Sequence, residues 1–175
     1  MPRTLSAVLA VVLLIAPLRA QVVSDEYRVK AAYLYNFFKY VEWSAAAPQQ
    51  GPMTICVAGR NPFGDALDQT LANETINGRP LVARTILEPE MNCHMVFVPD
   101  GAAAQAYLRA ASGTPTLTVG ERHDFIAQGG IISFYEAGGN IRFTINPMAA
   151  ERAGLRISAR LLELAQIADD QGTVR

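Results

Sequence analysis

Apolar positions change their spacing several times along this chain, and each change marks an element. From Ser24 to Trp43 they recur at helical spacing. Ser24 suits a helix N-cap, and Asp25 and Glu26 fall in the first turn, where the helix dipole favours acids. The pattern predicts a helix to about Trp43. "SAAAPQQGP" (44–52) is a loop marked by Pro48, Gly51 and Pro52. "MTICVAG" (53–59), a short apolar run between turn signals, predicts a buried strand. "NPFGDALDQTLA" (61–72) opens on Asn-Pro and sets Leu67 and Leu71 on one helical face. A turn is expected at Asn77-Gly78. Further strands are predicted at 81–87, 94–99 and 116–120, with a helix over 101–111 stopped by Ser112-Gly113.

After that the period becomes two. Ile141, Phe143 and Ile145 alternate with Arg142, Thr144 and Asn146, so 131–146 predicts a hairpin turned at Gly138-Gly139. Pro147 and Gly154 bound a short helix. Ile157, Leu161, Leu164 and Ala168 fall on one stripe and predict a final amphipathic helix over 157–168. Residues 170–175 read as a flexible tail. Strands alternating with helices give an α/β fold: a single compact domain over 24–169, with a mixed β-sheet flanked by helices in a layered sandwich, ending in a hairpin and helix.

The first twenty residues follow another pattern. Arg3 precedes an apolar run from Leu5 to Ile15, broken only by Ser6, and Pro17 and "LRA" lead to Gln21. This is the layout of a secretory signal peptide, 1–20, cleaved after about Ala20. The run is about half of the roughly 20 residues that cross a bilayer, so an uncleaved anchor is the alternative. The mature chain is therefore expected to be exported and soluble. Removing the signal leaves 155 of 175 residues, enough for one domain with a real core.

Charge changes the picture little. Without Arg3 and Arg19, Lys+Arg falls from 15 to 13 against 16 Asp+Glu, a net charge of −3. No basic run is present, so neither nucleic acid nor an anionic lipid surface is an expected partner. The two cysteines of the mature chain, Cys56 and Cys93, are even in number in an exported protein, which favours a disulfide; two unpaired core thiols remain the alternative.

Candidate chemistry is sparse. His94 adjoins Cys93, but no Cys-x-x-Cys or His-x-x-x-His spacing supports a metal site, and neither metal nor cofactor is expected. No G-x-S-x-G elbow accompanies the serines, and Glu121, Asp124 and Glu136 are expected to face water, so no catalytic residues are assigned. The loop "AGRNPFG" joins a buried strand to a helix start, where open α/β sheets bind ligands; Gly59, Asn61, Phe63 and Gly64 are the candidates for such a crevice, although no phosphate-loop pattern is present. A plain strand-to-helix connection is the competing reading.

The segment "EYRVKAAYLYNFFKYVEW" (26–43) is the one strong anomaly. It carries Tyr27, Tyr33, Tyr35, Phe37, Phe38, Tyr40 and Trp43, half of the chain's aromatic residues. On a helical wheel its apolar arc spans roughly 200°, wider than the stripe a surface helix normally buries, and Lys30 lies inside it. A well-buried helix with Lys30 paired or snorkelling explains the arc. Otherwise part of the arc, or the side bearing Tyr35, Lys39 and Trp43, meets another protein.

In order along the chain, "VKAAYLYNFFKYVEW", "ICVAG" with "NPFG", "NGRPLVAR", "CHMVFV", "LTVGE", "GGIISFYEAGGNIRFTIN" and "AGLRISARLLELA" resemble the YfiR family of periplasmic proteins. The resemblance covers about Glu26 to Ala168. It implies a compact α/β domain, often a homodimer, in the periplasm. It further implies a non-enzymatic regulator that binds and represses an inner-membrane diguanylate cyclase or another membrane sensor protein in cyclic di-GMP signalling. Cys56 and Cys93 match cysteines that pair in the family; the second pair of some members is absent here. A periplasmic small-molecule sensor without enzymatic activity is the alternative function.

Overall fold

The computed structural model describes residues 24–90 and 92–174, so the expected signal segment 1–20 lies outside the described residues. The described residues begin with α1 (Asp25–Tyr40), then β1 (Val41–Trp43), β2 (Met53–Ala58), α2 (Ala66–Leu71), β3 (Thr75–Ile76) and β4 (Arg79–Ile86). It continues through β5 (Met95–Val98), α3 (Ala104–Ala111), β6 (Leu117–Gly120), β7 (Ile132–Ala137) and β8 (Asn140–Ile145). Last come α4 (Pro147–Arg152), β9 (Leu155–Ile157), α5 (Ala159–Leu162) and β10 (Gln166–Ile167).

The main sheet runs β10-β8-β7-β6-β5-β2-β4-β3. Its centre is parallel, with β2 flanked by β4 and β5, and β6 between β5 and β7. The hairpins β3–β4 and β7–β8 are antiparallel, so the sheet is mixed, as the sequence predicts. The first hairpin turns at Asn77 (φ 52°) and Gly78 (φ 76°), the left-handed pair that a two-residue turn requires. Burial on both faces accounts for the largely apolar runs of β2 and β5. Met53, Ile55, Val57, Met95 and Phe97 join the core beneath α1 and α2. Cys56, Ala58, Val96 and Val98 face the other way, towards Tyr107 and Leu108 of α3. The sheet thus has a helical layer on each face.

Two expectations are corrected. The first helix stops at Tyr40, because Val41–Trp43 turns extended and pairs antiparallel with Leu155–Ile157. The long final helix is absent. Ile157 is in a strand, the helix is a short turn capped by Ser158, Leu164 is 66% exposed, and Gln166–Ile167 pairs with β8. Within the tail, Ala168 bridges Val174, and Asp170 meets Arg152 at 2.6 Å.

Candidate functional site

Most of the aromatic surface of α1 serves the core. Leu34, Phe37 and Phe38 are fully buried, and Tyr33 and Phe37 pack against Phe134 and Phe143 of the hairpin. Tyr27 meets Phe63 edge-on. Lys30 enters this layer nearly inaccessible to solvent, paired with Glu26 and, at 2.5 Å, with Glu121. The side chain of Glu121 is 7% exposed, so it does not face water as expected from its Gly-rich surroundings. The Tyr27 hydroxyl donates to Glu121 at 3.2 Å, and burial together with the Glu121 charge raises the phenol well above its usual range. Asp124 stays at the surface, where the bond from Arg122 draws its carboxyl below the usual range.

The three candidate contact residues lie along one side of α1 and β1. Tyr35 donates its hydroxyl to Glu74, and Lys39 lies over its ring at 5.1 Å from the centroid. Lys39 is exposed. Trp43 is only half-buried: its ring stacks on Phe38 and its indole N–H donates to the His94 carbonyl at 3.1 Å. Lys39 and Trp43 share a groove of about 620 Å³ with Ile76, Arg79 and His94. Two cations and an indole edge therefore border one open depression.

Behind the groove, Arg79 and His94 pin the 44–52 loop. Arg79 donates to the carbonyls of Gly51 (2.8 Å), Pro48 (2.9 Å), Gln50 (3.2 Å) and Pro52 (3.3 Å). His94 is within 3.0 Å of the Pro48 carbonyl and accepts from the Thr54 N–H. In the sequence His94 stands out only as a candidate metal ligand, and Arg79 does not stand out. The usable signal was local: Arg79 follows the Asn77-Gly78 turn, opposite a loop rich in proline and glycine whose carbonyls need donors.

A second depression, of about 560 Å³, lies at the carboxyl ends of β2 and β5. The strand order reverses there, since β2 connects outward to β4 and β5 connects the other way to β6. Such switch points are the usual ligand crevices of open α/β sheets. Gly59 lines it, with Arg60, Asp100 and Gly101. The other three candidates serve the loop itself. Asn61 accepts from the Phe63 N–H and donates to the Gly64 carbonyl, while Phe63 is fully buried against Phe97. Among the described residues no group of three or more His, Cys, Asp or Glu is placed to hold a metal.

Cys56 and Cys93 are joined in a disulfide. No helix of the described residues is long and apolar enough to cross a membrane. The YfiR/HmsC-like family profile matches residues 27–166, and the chain belongs to that family. The family is one of periplasmic regulators in cyclic di-GMP signalling, acting with membrane signalling proteins.

Proposed function

We propose that this chain is a non-enzymatic periplasmic protein that binds an inner-membrane receptor, a diguanylate cyclase, and holds it inactive. Family membership over residues 27–166 carries the reading. The groove beside α1 supports a place for the contact: Lys39 and Arg79 suit an acidic receptor segment, and the half-buried Trp43 offers an aromatic anchor. Repression requires tighter binding to the inactive receptor than to the active one, since equal affinity shifts no equilibrium. The test is a crosslinked pull-down of the tagged mature protein from its own envelope, followed by binding measurements on the recovered receptor. Lys39→Glu should weaken binding about tenfold, or ~1.4 kcal/mol, with an unchanged melting temperature. Unaltered affinity in both Lys39→Glu and Tyr35→Ala would move the contact elsewhere.

A small-molecule sensor is the second reading, and one observation favours it: the crevice of Gly59, Arg60 and Asp100 lies at the topological switch point. Thermal stabilisation by a periplasmic metabolite, lost in Arg60→Ala, would establish that reading.

A further inference from the structure

His94 is 1% exposed and both of its ring nitrogens are engaged. Nδ1 accepts the Thr54 backbone N–H at 3.1 Å, so it carries no proton. The ring proton is therefore on Nε2, which donates to the Pro48 carbonyl at 3.0 Å. Arg79 donates to the same oxygen, and its Nη2 lies 3.2 Å from Nε2, so two donors face each other across a shared acceptor. The arrangement holds only a neutral imidazole.

We propose that His94 is a proton-operated latch, whose protonation frees the 44–52 loop and the Trp43 indole beside it. A second proton can enter only at Nδ1. There it would oppose the Thr54 N–H, replacing a hydrogen bond with two facing donors. It would also set a cation against Arg79. Compensation comes chiefly from the Pro48 carbonyl, whose bond from the Nε2–H favours the charged ring. Arg79 comes from β4, Lys39 from α1 and Glu42 from β1, all lining the same groove. Glu42 is 77% exposed and within 3.8 Å of Arg156. β2 contributes the uncharged Thr54, the loop contributes carbonyls, and the preceding Cys93 is oxidised. Burial, the largest cause, together with the Arg79 charge holds the imidazole below its usual value of 6.5, against the Pro48 hydrogen bond, which raises it. The unfolded chain therefore takes up this proton at a higher pH than the folded one. The latch is therefore fully stable above about pH 6.5 and weakens as pH falls towards the lower folded value. Trp43 is coupled directly, because its indole N–H is bonded to the His94 carbonyl.

The consequence for repression rests on the receptor reading above, but the latch itself does not, so the two can fail separately. Trp43 is the only tryptophan, which makes its emission a clean probe. Between about pH 7.5 and about pH 5 its emission should change in one step. Over the same step, exchange protection of the Thr54 amide and the Trp43 indole N–H, corrected for intrinsic rates, should fall about tenfold or more. Imidazole nitrogen shifts of the wild-type chain should show His94 gaining its charge together with that step. His94→Gln should abolish the pH dependence, whether its loop rests closed or open. A step of unchanged midpoint and amplitude in His94→Gln overturns the proposal. So does a wild-type step during which His94 stays neutral, or no step at all.

Discussion

Lys30 can sit in an apolar layer because Glu26 lies one turn away on α1 and Glu121 arrives from the end of β6. Removing one partner strands the other. Lys30→Met would leave Glu121 buried without its cation, a loss of about 3–5 kcal/mol. Lys30→Met combined with Glu121→Leu should recover most of that, because a well-packed apolar pair replaces a buried ion pair at little cost. Urea unfolding of the two variants decides it; a single variant within about 1 kcal/mol of wild type would show that the pair carries no structural weight. Half of this was legible in the sequence. Helical phase places Lys30 inside the apolar arc and so demands a partner. The partner is 91 positions away and depends on where the sheet ends, which no local pattern encodes.

At the scale of elements, legibility followed length. The strands of the central sheet are apolar runs bounded by turn signals, and they fall where their sequences place them. "VEW" and "LRI" are three-residue alternations, buried-exposed-intermediate in both, and as strands they pair only with each other. Helical phase on either side overrides so short a signal, which is why the first helix reads too long and 157–168 reads as a helix. The crossover between β6 and β7 has no apolar period either. It is held by Phe125, fully buried between Gly120 and Gly130. A Cβ at Gly130 would lie 2.2 Å from the Phe125 ring and 2.7 Å from its carbonyl oxygen, so the backbone itself would have to move. Gly130→Ala should destabilise by about 1–3 kcal/mol, as overpacked cores do. Pairing it with Phe125→Leu should restore part of the loss, and thermal unfolding of single and double variants reads the coupling directly. Additive losses would place the strain elsewhere.

The whole molecule is a sheet with two unequal cores. Beneath α1 and α2 lies a broad aromatic and aliphatic layer, and beneath α3 a smaller one that includes Cys56 and Cys93. The smaller face has less apolar area to stabilise it, and there the covalent link falls. The link spans 37 positions and encloses α2, β3 and β4, so it confines the edge of the sheet in the unfolded chain as well as in the folded one. A disulfide of that loop length contributes about 2–4 kcal/mol, and each kcal/mol moves the midpoint of a chain this size by about 2–4 °C. Both sulfurs are buried, so reductant should act slowly on the native protein and quickly once it opens. The double variant Cys56→Ala/Cys93→Ala should fold, melt lower by the amount those figures imply, and match the fully reduced wild type. Thiol labelling of denatured, unreduced protein should find no free cysteine. Two labelled thiols, or equal melting points for oxidised and reduced chains, would mean that the smaller core stands without its staple. The Trp43 emission of the folded chain should change little on loss of the link, because the indole packs on Phe38 in the broad core on the opposite face.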